Sequence, residues 1–232
     1  MAATTFLTRI PLPARLRLGD DDLLRSVVLF PVVGAALGAG VGWVGAVSTP
    51  LLPAVVAGAL GVGFELVATG ALHLDGLADS ADGLGGGSRQ QRLAIMRDHG
   101  LGVYGASTLV LNLLAKAAAV GTLATLGMAV AVPVLALVFA VSRATPLPLA
   151  ATLPYARPGG GTGMLLAGRL GPRRAVCGVA VALVLVAALG AVVGVATASG
   201  AVVSAVVATV CVGLASWRRL GGVTGDVLGA AI

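Results

Sequence analysis

Six apolar stretches divide the chain, at about residues 27–47, 53–72, 101–122, 128–149, 175–197 and 201–217. Each comes near the roughly 20 residues that an α-helix needs to cross a bilayer core. The pattern predicts an all-α, polytopic membrane bundle of about six transmembrane helices. The polar links alternate in charge. Those between 47 and 53, 122 and 128, and 197 and 201 carry no Lys or Arg. The other links collect the cations: Arg9, Arg15, Arg17 and Arg25 before the first stretch, Arg89, Arg92 and Arg97 in the 73–100 segment, Arg157, Arg169, Arg173 and Arg174 in the 150–174 segment, and Arg218 and Arg219 after the sixth. An even number of spans predicts this alternation under the positive-inside rule. The N-terminus, the 73–100 segment and the 150–174 segment are therefore expected in the cytoplasm. No linker or clear internal repeat interrupts the chain, so residues 1–232 read as one domain.

Composition supports a membrane protein. The chain has 232 residues, of which 58% are apolar and 10% charged, where a soluble domain carries about a quarter charged. Mean hydropathy is +1.03. Aromatics are 3%, so an interfacial belt is thin, with Trp43 and Trp217 the only tryptophans. Thirty-five glycines suggest closely approaching helices. The net charge of +6 does not point to nucleic acid, because the cations sit in short links between apolar runs. Cys177 and Cys211 fall inside apolar runs and read as buried small residues. The first residues, with Arg9, Pro11 and Pro13, lack a signal-peptide pattern.

Two cations lie inside predicted spans, Lys116 and Arg143. An ionisable residue there faces a bundle interior or a cavity, or snorkels to an interface, which suits Arg143 better than Lys116.

Four of the nine acidic residues lie between Gly70 and Asp98. Asp75, Asp79 and Asp82 are spaced i, i+4, i+7, which stacks them on one helix face. If that helix continues back into the second span, Glu65 falls on nearly the same face, all four within an arc of roughly 100°. Like charges so placed repel. Mg²⁺, or alternatively Mn²⁺, would turn them into hard oxygen ligands with positions left for water and phosphate. The competing reading is a solvated helix end with ordinary surface aspartates. Gly76, Gly83 and Gly85–Gly87 clear side chains from the approach of a large ligand, and Arg89, Arg92 and Arg97 follow within reach of phosphate. His73 is a candidate general base or a helix-end histidine bonded to backbone, and a regular helix points it away from Asp75. His99 has the same ambiguity. Asp98 either joins the metal shell or pairs with Arg97 or Arg92.

These residues resemble the cobalamin synthase family, adenosylcobinamide-GDP ribazoletransferase. The resemblance rests on H-L-D-G-L-A-D-S-A-D-G at 73–83 and R-L-A-I-M-R-D-H-G-L-G-V-Y-G at 92–105. It extends to F-L-T-R-I-P-L-P at 6–13, F-P-V-V-G at 30–34, P-Y-A-R at 154–157 and G-G-V-T-G-D-V-L-G-A at 221–230. In the family the last motif is normally followed by a Glu and a further apolar helix, whereas this sequence stops at Ile232, so that helix is expected to be missing.

The resemblance implies a Mg²⁺-dependent membrane enzyme that joins adenosylcobinamide-GDP to α-ribazole or its 5′-phosphate and releases GMP. The expected metal set is Asp75, Asp79 and Asp82, with Glu65 and Asp226 as further candidates. The expected catalytic set is those three aspartates with His73. Expected substrate ligands are Arg9, Arg89, Arg92, Arg97, Lys116, Arg143, Tyr155 and Arg157. The expected partners are the two substrates and the bilayer, without nucleic acid, and self-association stays open. A phosphotransferase of nucleotide-activated lipids is a first alternative, opposed by Leu77–Ala78–Asp79 where such enzymes carry an Ala-Arg pair. A small ion-coupled transporter is a second, opposed by the scarcity of mid-membrane charge.

Overall fold

The computed structural model describes residues 1–10, 19–98, 100–157, 159–160 and 163–232. Arg15, Arg17 and His99 lie outside the described residues. Helices run in the order α1 Ala2–Leu7, α2 Asp20–Ser26, α3 Phe30–Ser48, α4 Ala54–Thr69, α5 Leu72–Leu84, α6 Arg89–Ile95 and α7 Val103–Thr125. Then follow α8 Met128–Ala144, α9 Pro146–Thr152, α10 Met164–Arg169, α11 Pro172–Val193, α12 Val195–Leu220 and α13 Gly225–Ala230. The only β-pairing among the described residues is a parallel bridge between Tyr155 and Val223.

Each apolar stretch of the sequence holds one long helix: α3, α4, α7, α8, α11 and α12. Five stretches are long and apolar enough to cross a membrane alone, namely Asp20–Ser48, Val103–Thr125, Met128–Thr152, Pro172–Val193 and Val195–Leu220. The sixth reaches that length only when α4 and α5 are counted together, and this pair is bent by 93°.

Glycine sets the spacing of the bundle. Gly34, Gly38 and Gly42 recur every four residues on one face of α3 and lie against the α8 backbone at Phe139, Leu135 and Ala131. A Cβ on Gly38 would sit 2.6 Å from the Leu135 carbonyl carbon, and one on Gly42 would sit 2.7 Å from the Ala131 oxygen. α4 and α7 approach in the same way, with Gly121 against Ala54. Without water to expel, small residues that let backbones touch supply the packing between membrane helices. By contrast, only 6% of the apolar window of α12 is covered by protein. A helix apolar on all sides suits lipid contact. Cys177 on α11 and Cys211 on α12 are exposed on such outer faces, which corrects the expectation that they are buried.

The short helices gather at one end of the bundle. There α5 packs on α13 and α6, and α9 packs on α10, α11 and α13. A core that includes Leu7, Leu24, Phe30, Met96, Leu147, Leu166 and Leu228 fills the space between them. The site lies in this end.

Candidate active site

The corner between α4 and α5 decides which acidic residues meet. α4 ends on Gly70 (φ +64°) and Ala71 (φ +59°), both left-handed, and both amides bond to the Leu66 carbonyl. Glycine enters that region freely; Ala71 is the only non-glycine there among the described residues. Helical phase is lost at this break, so Glu65 does not share a face with the α5 aspartates. Its carboxylate instead receives Lys116 Nζ at 3.0 Å on both oxygens and Arg143 Nη2 at 3.5 Å. The Glu65 and Arg143 side chains are 7% and 2% exposed. Arg143 also lies over the Phe139 ring, 4.5 Å from its centroid. Glu65 is thus the counter-ion of two cations, away from the α5 aspartates with which the sequence grouped it. Lys116 and Arg143 face the bundle interior, as ionisable residues within spans do.

On α5, Asp75, Asp79 and Asp82 occupy the predicted helix, yet they part ways. Asp82 is buried, and its two oxygens accept the Gly102 and Gly105 amides at 2.8 Å each. These amides open α7, and a carboxylate placed there meets both the free donors and the positive end of the helix dipole. A Cβ on Gly102 or Gly105 would collide with the Asp82 carboxylate. Asp82 therefore caps α7, with both oxygens engaged by backbone amides.

The third carboxylate comes from far along the chain. α13 crosses α5 where Gly76 faces the Asp226 backbone; a Cβ on Gly76 would lie 2.7 Å from the Asp226 carbonyl oxygen. On α13, Gly229 faces His73 and Gly76. This crossing brings Asp226 within electrostatic reach of Asp75 and Asp79. The segment before α13 is pinned by Val223, which donates to Pro154 O at 2.9 Å and accepts from Ala156 N at 2.8 Å. That pairing sets Arg157 beside Asp226: its Nη2 donates to Asp226 Oδ2, and to Met96 O at 2.9 Å. Burial holds the Asp226 carboxyl above the usual range, and Arg157 pulls it part of the way back. Burial also raises the Tyr155 hydroxyl. Among the described residues, no three His, Cys, Asp or Glu side chains are placed to hold a metal ion by themselves.

Two expected phosphate ligands have other work. Arg89 donates to Leu220 O at 2.6 Å and Ala156 O at 3.1 Å, and Arg92 donates to Arg219 O at 3.4 Å. Both tie α6 to the carbonyl end of α12, a favoured place for a cation. Arg97 is exposed and lies within electrostatic reach of Tyr155. The Arg9 amide donates to Ala68 O at 2.7 Å, and its side chain covers Gly70 at the corner. Asp98 accepts the Gly100 amide at 3.2 Å.

His73 and Asp75 both border one cavity of about 300 Å³, together with Asp226, Phe6 and Phe30. His73 and Asp75 lie two positions apart on α5, and both line this space.

A sequence profile of the cobalamin-5-phosphate synthase family matches residues 1–232. The chain belongs to this family. Relatives in the cobalamin-5-phosphate synthase family include the adenosylcobinamide-GDP ribazoletransferase of Klebsiella pneumoniae subsp. pneumoniae, 38% identical over 234 residues that cover 100% of this chain and 93% of the relative. The protein of that name from Azorhizobium caulinodans is 40% identical, covering 99% of this chain and 88% of the relative. The one from Escherichia coli K12 is 37% identical, covering 100% and 93%. No solved structure matches at a significant level.

In this member of the cobalamin-5-phosphate synthase family, sequence reasoning missed three parts of the site: the amides of Gly102 and Gly105, the Arg157–Asp226 pair, and the aromatic wall of Phe6 and Phe30. The glycine spacing in G-L-G-V-Y-G was a signal for the first. The other two join residues that only the tertiary fold brings together.

Proposed function

We propose that this chain transfers the phosphocobinamide group of adenosylcobinamide-GDP to a ribose hydroxyl of α-ribazole, or of α-ribazole 5′-phosphate as the alternative acceptor. The products are adenosylcobalamin, or its 5′-phosphate, and GMP. The observation that carries the reading is the crossing of α5 and α13, where Asp75, Asp79 and Asp226 converge beside a cavity, in a chain whose full length matches the family. The lipid phosphotransferase and transporter readings have no support among the relatives.

The donor set suits Mg²⁺, with Mn²⁺ the alternative. Carboxylates are hard ligands, and Mg²⁺ is commonly bound by one or two of them together with substrate phosphate. One or two of the carboxylates Asp75, Asp79 and Asp226, together with substrate phosphate, would hold it; when bound, it would neutralise charge on the pyrophosphate. The protein's own groups do the rest. A free ribose hydroxyl oxygen of the acceptor forms a bond to the phosphorus that bears the cobinamide, and the bond from that phosphorus to the bridging oxygen breaks. GMP leaves with the electron pair, and a carboxylate of the cluster takes the hydroxyl proton. Arg157 orients Asp226 and adds positive charge beside the transferring group. Lys116 and Arg143 exceed Glu65 by one positive charge, and this surplus favours a polyanionic substrate nearby.

The arginine-rich links support a reading with this end of the bundle in the cytoplasm and the protein in the cell membrane. The function is tested by GMP release from purified protein in lipid vesicles with Mg²⁺. Release should require both substrates, and Asp75→Asn or Asp79→Asn should abolish it while the protein still inserts. Full activity of either variant at the normal Mg²⁺ concentration would remove that residue from the essential set, and no release by the unaltered protein would sink the reading.

A further inference from the structure

The cavity beside the carboxylates has a divided character. Asp75 and Asp226 border it, and so do the apolar side chains of Phe6, Phe30 and Leu166. The Phe6 and Phe30 rings stack with centroids 5.6 Å apart and planes 13° from parallel. Phe30 is buried, while Phe6 keeps part of its surface open. His73 borders the same space, and its Nδ1 is buried without a hydrogen-bond partner among the described residues. A buried ring nitrogen in that state is costly unless a ligand satisfies it.

The ligand that satisfies such a site is flat, mostly apolar and polar at one edge atom. We infer that the cavity is the subsite for the aromatic base of the acceptor riboside. The open side of Phe6 contacts the base, and His73 Nδ1 hydrogen-bonds its one unsubstituted ring nitrogen. The inference rests on the function proposed above and adds to it where the acceptor sits and what selects it.

The other candidates fit less well. Guanine carries a carbonyl, an amino group and a ring N–H, and most of these would stay unpaired against this wall. The corrin macrocycle is too large for about 300 Å³. A lipid chain would leave the histidine nitrogen without a partner and lie against two carboxylates. A benzimidazole-type base meets the single free nitrogen with its single acceptor, and its ribose then extends toward Asp75 and Asp226. His73 on this account binds the acceptor, and the hydroxyl proton goes to a carboxylate.

Steady-state kinetics of the full chain in vesicles test this with two ribosides: α-ribazole, and the analogue in which the free ring nitrogen is replaced by CH. The unaltered protein should show a KM for the analogue about ten-fold above that for α-ribazole. His73→Ala should raise the KM for α-ribazole about ten-fold and leave the analogue's KM unchanged. The KM for adenosylcobinamide-GDP and kcat at saturating acceptor should move by less than about two-fold, a split that a general loss of structure would not give. Equal KM values for the two ribosides on the unaltered protein overturn the inference, and this comparison stands even if His73→Ala does not fold. So does a His73→Ala variant whose loss lies in kcat, since that marks proton transfer. Turnover with the wrong KM pattern refutes the subsite alone; no turnover with either riboside refutes the proposed function, and the subsite with it.

Discussion

Glu65→Gln removes one negative charge from the interior and leaves two cations facing each other. At an effective dielectric of about 20, contacts of 3.0 and 3.5 Å each correspond to about 5 kcal/mol of attraction. Desolvating the ions offsets much of that gain, so the intact triad is not a large net source of stability. Breaking it is another matter, because Arg143, 2% exposed, keeps its charge and loses its counter-ion. Removal of one partner from a buried pair costs about 3–5 kcal/mol. Lys116, with 35% of its side chain exposed, can turn toward a more polar environment, which favours the lower end. At about 3 kcal/mol, the melting temperature should fall by roughly 6–12 °C. The assay is thermal unfolding in detergent, followed through Trp43 and Trp217, for Glu65→Gln, Arg143→Met and the double variant. The double variant should lie above Glu65→Gln, since it removes the uncompensated charge as well. A Glu65→Gln melting temperature within about 2 °C of the parent, with a raised Mg²⁺ requirement, would refute the counter-ion role and return Glu65 to the metal set.

Gly105→Ala should displace the Asp82 carboxylate and destabilise α7 by about 1–2 kcal/mol, measured as a lower melting temperature with the protein still inserted; an unchanged value would mean that the cap is not needed. Arg157→Ala should move the acid limb of kcat/KM to higher pH. Asp226 already ionises above the usual carboxylate range, and losing the cation that favours its charged form raises it further; a limb that stays in place or moves to lower pH contradicts this. Gly87→Cys, with Cys177 and Cys211 changed to Ala, should resist a membrane-impermeant thiol reagent in intact cells and react after lysis. Labelling in intact cells would place the α5–α6 link outside.

The six long helices were legible because burial in lipid imposes a local pattern that twenty consecutive residues suffice to display. The helix of Asp75, Asp79 and Asp82 was legible for the same reason. The corner at Gly70–Ala71 was not, since the apolar run continues across it without a proline. That corner moved Glu65 from the aspartate face to Lys116 and Arg143. The arginines of α6 looked like phosphate ligands because local sequence shows charge and not its partners. Arg89 binds Leu220 and Ala156, on segments that reach it only in the folded chain. Asp82 matched its neighbours in spacing, but α7 begins over it and claims both oxygens.

The pairing of Val223 with the 154–156 segment has a consequence for how the protein is made. A ribosome delivers the six long helices before it delivers Asp226. A nascent chain can therefore hold these six helices and still lack the crossing of α5 and α13. Residues 223–230 fold back under α5 only after the long helices have been made. Products that terminate between Leu220 and Asp226 would keep the six long helices and lack the carboxylate that meets α5.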